Sequence, residues 1–220
     1  MTTINAADGH QLDAYEVHPD GAQASVVIVQ EIFGVNPHIR SVVDRYASFG
    51  YRTIAPALFD RIERNVELDY DEPGKQRGIE IAMQIAFEPA MLDVAAAVAH
   101  VADTGPVAVV GYCFGGSLAW LSAAELPIAA AVGYYGGQVH GMIERVPAAP
   151  TLLHFGELDA GIPLEQVEAI ADAHPAVPVH VYLGADHGFS CDARATHHAL
   201  SAAIALGRTL EFLTSSGVTP

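Results

Sequence analysis

An apolar, β-branched run that ends in a cramped glycine-rich turn constrains this chain more than any other feature. In Pro106-Val107-Ala108-Val109-Val110-Gly111-Tyr112-Cys113-Phe114-Gly115-Gly116-Ser117-Leu118-Ala119 the run reads as a buried strand, stops at Gly-x-Cys-x-Gly, and is followed by a small-residue helix. A strand-to-helix turn this tight leaves no room for a Cβ at its flanks, so glycine is required there. The tip residue, Cys113, is then held in a strained conformation with its sulfur outward at a helix N-terminus. Unpaired N–H groups and partial positive charge at such an end favour a thiolate and steady an oxyanion. The competing reading is an inert cysteine packed in a glycine-rich turn, since free cysteine is among the most buried residue types.

Composition narrows the class. A chain of 220 residues is long enough for a full core, and a single domain over residues 1–220 is expected. With 51% apolar and 16% charged residues it is globular in character. No apolar run approaches the roughly 18 residues of a membrane span. Met1 to Asp8 shows no basic region followed by an apolar core, so no signal peptide is expected. Two cysteines without a CxxC argue against a disulfide framework or a zinc site, and the expected compartment is the cytoplasm. The net charge of −16 disfavours nucleic acid and acidic membrane surfaces as partners. Lys75 is the sole lysine beside nine arginines, so an anionic substrate would have to use one of very few cations. Length and charge are compatible with a monomer or a small homo-oligomer.

Taken in order, Gln11–Val17 alternates like an edge strand, and Ala24–Val29 is a continuous buried-type strand ending at Gln30-Glu31-Ile32-Phe33-Gly34. A helix is expected from about Asn36 to Phe49, capped by Asn36 with Pro37 in its first turn. Tyr51–Pro56 is the next strand. Residues 58–74 are irregular and charge-rich, either a solvated loop or a border of an active site. A helical pattern spans about Lys75 to Val101, with a break expected near Pro89. After the turn at Cys113 come a helix to about Glu125, strands over Ile128–Tyr134 and Ala149–Phe155, a helix over 163–173, a strand over Val177–Leu183 and a last helix from about Asp192 to Leu213. Strands alternating with helices predict an α/β fold with a mainly parallel sheet flanked by helices on both faces. Ligands bind such sheets beyond the carboxyl ends of the strands.

A nucleophile at Cys113 needs a base, and the base needs an orienting carboxylate. In the chain order nucleophile, acid, histidine, the acid falls in Leu152-Leu153-His154-Phe155-Gly156-Glu157-Leu158-Asp159, where Asp159 is preferred and Glu157 is its rival. The histidine falls in Gly184-Ala185-Asp186-His187-Gly188-Phe189. Among eleven histidines, His187 stands at the right point in that order, whereas His154 reads as a packed core residue and His197-His198 as a solvated pair. No His-x-x-x-His pair with a nearby acid suggests a metal.

These pieces resemble the dienelactone hydrolase (carboxymethylenebutenolidase) family of α/β-hydrolases. The matching stretches are Gln30–Gly34, Gly111–Gly116, Gly133-Tyr134-Tyr135-Gly136, Phe155–Asp159 and Gly184–Phe189, in that order. The resemblance implies the α/β-hydrolase fold, a carboxylic ester hydrolase with a Cys113–His187–Asp159 triad, and no cofactor. It also implies that the N–H groups of Ile32 and Phe114 form an oxyanion hole, and that Glu31 holds the resting thiol until substrate binds. A carboxylate beside a thiol opposes thiolate formation, which would protect Cys113 from oxidation between turnovers. Apart from the resemblance, Glu31 reads as a dipole partner of the following helix.

Implied substrate contacts are Arg77, Tyr134 or Tyr135, and Phe33. The pattern is departed from where an arginine is expected four residues after His187, because Cys191 stands there, and where Ile81 replaces an aromatic. A thiol cannot replace arginine's bidentate fork. Arg194 is expected to reach the site only if the last helix begins early. Cys191 is then either a small apolar wall or an oxidative partner of Cys113. The expected substrate is a small ester, lactone or enol ester, with or without a carboxylate held by Arg77, cleaved through a thioacyl-enzyme. A broader carboxylesterase or thioesterase on the same triad is the alternative, and a catalytically silent ligand-binding protein of this fold is a further one.

Overall fold

In a computed structural model describing residues 1–220, the β-branched runs form the middle of one eight-stranded sheet. Its strands are β1 (Thr2–Asn5), β2 (Gln11–Val17), β3 (Ser25–Val29), β4 (Arg52–Pro56), β5 (Val107–Tyr112), β6 (Ala130–Tyr134), β7 (Thr151–Gly156) and β8 (Val179–Tyr182), in the spatial order β1-β2-β4-β3-β5-β6-β7-β8. The pairs β1·β2 and β2·β4 are antiparallel and the rest are parallel. Every residue of β3, β4, β5, β6 and β7 is buried, which is why these strands read as continuous apolar runs. β2 lies one strand in from the edge. The edge itself is β1, whose four residues bury only Ile4 and so leave almost no hydrophobic pattern.

Successive residues of the central strands point to opposite faces, and each face has its own core. Val26, Ile28, Ala108 and Val110 pack with the apolar sides of α1 (Pro37–Ser48), α5 (Leu164–Ala173) and α6 (Ala199–Ser215). Val27, Val29, Val107 and Val109 pack with α2 (Glu72–Ala82), α3 (Phe87–Val101) and α4 (Phe114–Glu125). The sheet is thus mainly parallel and covered on both faces, an α/β-hydrolase arrangement. No single helix is long and apolar enough to cross a membrane.

Two helix boundaries differ from the sequence expectation. The break between α2 and α3 falls at residues 83–86, ahead of Pro89, because proline is accommodated in a helix's first turn where no intrahelical N–H bond is lost. The last helix begins at Ala199. Residues 192–198 are turns closed by the bond from Thr196 Oγ1 to the His187 carbonyl (2.8 Å), and His198 caps the helix by accepting from the Ser201 N–H.

The charge-rich stretch after β4 is fastened at several points. Leu58–Arg61 form a short 3₁₀ turn, Gly34 and Glu67 make an isolated antiparallel bridge, and Arg40 grips the Glu67 carboxylate with both terminal nitrogens at 2.6 and 2.7 Å. Arg61 makes a two-point contact with Asp93 of α3, at 2.7 Å for each bond, and the Asp93 side chain is wholly buried. Removing one partner of such a pair strands the other without compensation. Arg61→Ala is therefore expected to lower unfolding free energy by about 3 kcal/mol, read from urea denaturation at pH 7.

Candidate active site

Cys113 stands at the carboxyl end of β5, where the chain reverses into α4 with φ +54° and ψ −113° at the cysteine. Non-glycine residues pay about 1–3 kcal/mol for such a backbone and hold it only when their surroundings enforce it. Here the enforcement comes from backbone packing on both sides. A Cβ on Gly111 would lie 1.8 Å from the Gly115 carbonyl oxygen, one on Gly115 2.2 Å from the Val29 oxygen, and one on Gly116 2.5 Å from the Tyr134 oxygen. The Gly115 N–H bonds the Gln30 carbonyl at 3.0 Å and the Cys113 N–H bonds the Tyr134 carbonyl at 3.0 Å.

His187 follows β8 in a turn and meets its carboxylate as the chain order predicts. Its Nδ1 lies 2.7 Å from Asp159 Oδ2, and Asp159 Oδ1 accepts the Gly161 N–H at 2.9 Å, so both oxygens of this buried carboxylate are used. Glu157, the rival, points elsewhere and accepts the Gly184 N–H at 2.7 Å. Burial works against the His187 imidazolium, yet the Cys113 sulfur and the Asp159 carboxylate outweigh it and push its pKa up to about 10. His187 shares a cavity with Cys113.

Ile32 and Phe114 line the same cavity, and neither backbone N–H donates to a protein acceptor. Phe114 opens α4, so its N–H is one of the four left over at a helix start. The Ile32 peptide is fixed from behind by Gly78 of α2, where a Cβ would lie 1.9 Å from the Ile32 oxygen. With the carbonyl backed against a helix, the loop after β3 has little freedom to reorient.

The cavity, about 370 Å³, opens over Cys113 and is walled by Ile79, Met83, Ile85, Phe87 and Ile162. Phe87 stacks on Phe114 with ring centroids 5.9 Å apart. No lysine or arginine lines it. Arg77 lies outside, exposed, and is paired with Glu63 and Glu80, because its position on α2 turns it to solvent beside two acids. Tyr134 and Tyr135 are also away from the cavity: their hydroxyls bond Thr209 Oγ1 at 2.6 Å and Ser190 Oγ at 2.7 Å. Tyr135 packs its ring 5.0 Å from that of His187.

Glu31, Phe33 and Cys191 are buried and lie outside the cavity wall. Glu31 accepts a hydrogen bond from the Tyr70 hydroxyl (2.7 Å) and one from Arg194 (3.4 Å), and it has no bond to Cys113. The Arg194 guanidinium lies 5.7 Å from each of the Phe33 and Tyr70 ring centroids. Arg194 thus reaches the site from a turn, without the early helix start expected to be needed. Burial pushes the Cys191 thiol up to about 12, and Glu31 adds to that. Ligand atoms of Glu31, His38 and Cys191 lie within 4.8 Å of one another, a set able to offer a carboxylate, an imidazole and a thiol to a metal. Two features occupy that set already: Arg194 sits on Glu31, and His38 Nδ1 is bonded to Asp192 at 2.9 Å. Tyr70 and Arg194 were not legible as partners of Glu31; a lone tyrosine in the charged stretch was the one available signal.

Comparison with known proteins agrees with the fold. Residues 12–216 match the sequence model of the dienelactone hydrolase family. A carboxymethylenebutenolidase of Pseudomonas putida is 34% identical over 222 residues, spanning 96% of this chain and 94% of that protein. Another from Pseudomonas sp. strain P51 is 34% identical over 96% of this chain and 93% of its own. Among solved structures, a Klebsiella pneumoniae protein assigned as a dienelactone hydrolase superposes with a TM-score of 0.85 at 31% identity, covering 96% of this chain and 97% of that one. Thermogutta terrifontis esterase 2, with TM-score 0.68 at 17% identity over 99% of this chain and 95% of that one, shares the fold.

The raised His187 pKa has a direct readout. In ring-proton NMR titrations the imidazolium is expected to persist to about pH 10. Cys113→Ala and Asp159→Asn remove the two groups that raise it, so each variant should titrate at lower pH, toward the ordinary histidine range.

Proposed function

The chain belongs to the dienelactone hydrolase family, whose members hydrolyse ester and lactone bonds, and on that premise we propose that Cys113, His187 and Asp159 perform the reaction as a triad through a thioacyl-enzyme. The observation that carries this reading is one cavity holding a strained cysteine, a histidine bonded to a buried aspartate, and two unpaired N–H groups from Ile32 and Phe114. Those are the nucleophile, the base with its orienter, and the oxyanion donors that acyl transfer requires.

In the proposed sequence, the Cys113 thiolate attacks the substrate carbonyl carbon, and the carbonyl π pair moves onto oxygen between the Ile32 and Phe114 N–H groups. The oxyanion collapses, the C–O bond breaks, and the departing oxygen takes the proton carried by His187. Neutral His187 then accepts a proton from water as that water attacks the thioester carbon. The C–S bond breaks, acid product leaves and the thiolate is restored. Asp159 keeps Nδ1 protonated throughout and steadies the imidazolium. A thiolate is itself easily expelled from a tetrahedral intermediate, so enol and aryl oxygens leave productively while simple alkoxides do not.

The substrate end of the proposal is an uncharged, largely apolar ester or lactone. Apart from His187 and Gln138 the cavity wall is largely aliphatic and aromatic, no lysine or arginine lines it, and Arg77 is engaged with Glu63 and Glu80 outside it. Burying an unpaired carboxylate there would be costly. This favours the broader carboxylesterase alternative over a lactone bearing a carboxylate.

Steady-state hydrolysis of p-nitrophenyl butyrate, an enol acetate and cis- and trans-dienelactone tests both parts. Cys113→Ala is expected to lose about 10³-fold or more of turnover on every substrate that the wild type cleaves. The uncharged aryl and enol esters should exceed dienelactone in kcat/KM by about tenfold or more, the penalty of one unpaired anion being at least that large. Full activity in Cys113→Ala would overturn the triad, and preference for dienelactone would overturn the apolar substrate alone.

A further inference from the structure

Beside the catalytic groups, the cavity wall holds one polar side chain that the mechanism does not use, Gln138. The loop that carries it follows β6 and lies against the start of α4 at main-chain distance. A Cβ on Gly136 would lie 2.8 Å from the Gly116 carbonyl carbon and 2.9 Å from the Ser117 nitrogen. Ser117, wholly buried, grips Gln138 twice: its hydroxyl accepts the Gln138 backbone N–H at 3.1 Å and donates to Gln138 Oε1 at 2.9 Å. Ser117 stands four residues after Cys113, so the amide is held by the helix whose start presents the sulfur. With Oε1 engaged, the amide Nε2 is left as the free donor of an oriented group.

Gln138 also stands on a border. With Phe87 and Gly137 it lines both the cavity over Cys113 and a second, open hollow of about 420 Å³, whose far side brings His140, Met142 and Gln166. Trp120 of α4 fixes the floor there, its Nε1–H donating to the Met142 carbonyl at 3.3 Å. Both spaces are thus built on the helix that begins at the nucleophile. No lysine, arginine, aspartate or glutamate lines either one. A group reaching from the sulfur past Phe87 therefore meets an amide donor and no carboxylate, ammonium or guanidinium.

We propose that Gln138 is a specificity-determining residue, and that the hollow beyond it is a subsite for an ester arm carrying an uncharged oxygen acceptor: an ether, a hydroxyl or a carbonyl. The inference rests on the triad reading above and deepens it by naming the chemistry of the substrate's distal arm. A neutral oxygen there is satisfied by the one amide N–H, whereas a carboxylate would be desolvated without a cation to compensate it. A bare alkyl arm would strip water from the amide and leave its N–H unpaired, which is how a hydrogen-bonding site rejects an analogue that lacks the matching group. Because Ser117 orients the amide before substrate arrives, little side-chain freedom is lost on binding.

The test is a cycle between protein and substrate. Two pairs of aryl esters differ only by an oxygen in place of a methylene: phenyl hexanoate against phenyl 4-methoxybutanoate for the acyl arm, and 4-propylphenyl acetate against 4-(methoxymethyl)phenyl acetate for the alcohol arm. Each is measured as kcat/KM with wild type and with Gln138→Met, which keeps the length of the side chain and removes the donor. The ether-to-alkyl ratio is expected to fall about threefold to tenfold in Gln138→Met for the pair whose arm enters the hollow, the worth of one hydrogen bond between neutral groups. Intrinsic ester reactivity and general damage to the fold cancel from this comparison, because they act on both members of a pair or on both proteins alike. Ser117→Ala, which frees the amide from its anchor, should lower the same ratio by about twofold or more. A ratio that Gln138→Met leaves within about twofold of wild type in both pairs would overturn the subsite, since even a weak hydrogen bond exceeds that. An unchanged ratio in Ser117→Ala would overturn the anchoring. Failure of the triad reading is seen separately, as turnover of these esters that survives Cys113→Ala.

Discussion

The interaction on which the rest of this structure depends is a set of backbone approaches too close for any side chain. Gly111, Gly115 and Gly116 let β5, α4, β3 and β6 meet at their main chains, and the residue trapped among them is Cys113 at φ +54°. Its strain is sustained because the flanking strands are buried on both faces and cannot yield. Everything reactive is measured from that point. The helix start supplies one free N–H at Phe114, and the loop after β3 supplies Ile32.

A second constraint divides the surroundings of the sulfur into two environments. In front, the break between α2 and α3 presents Ile79, Met83, Ile85 and Phe87, and the charges of that region lie elsewhere. Behind, Glu31, Tyr70, Arg194 and Cys191 form a dense polar group closed by aromatic rings. Arginine suits this buried place because its planar cation can stack on rings while bonding a carboxylate, which an ammonium does less well. The missing side chain of Gly78 lets α2 bear on the Ile32 carbonyl and holds the loop after β3 against the helix.

Much of this was legible in the sequence because it is local. Buried parallel strands announce themselves as apolar runs, the turn at Cys113 as a glycine pattern, and Asp159 and His187 by their place after successive strands. What escaped depended on contacts distant in the chain or on which way a side chain turns. Arg77 stands on a helix expected beside the site, yet the acids at Glu63 and Glu80 claim it on the solvent side. Tyr134 and Tyr135 carry a matching motif, but their hydroxyls are spent on Thr209 and Ser190. Arg194 was tied to an early helix start, whereas a run of turns over 192–198 delivers it by a path that helical periodicity does not describe. The bond between Tyr70 and Glu31 spans 39 residues. No pattern in either segment points to the other.

The loss of an arginine four residues after His187 and the gain of one at Arg194 are best read together. A thiol at Cys191 is small enough to leave space beside Glu31, and the arginine that fills this space comes from the following turn. Where the resemblance implies an arginine facing substrate, the charge of Arg194 faces protein instead. Burial disfavours that charge, and Glu31 foremost, followed by Tyr135 and Cys113, offsets the cost. Both rings and the Glu31 carboxylate already engage this guanidinium. The turn at Cys113 and the direction of this guanidinium are thus set by separate parts of the chain, one by glycines packed at the main chain and the other by a run of turns after His187.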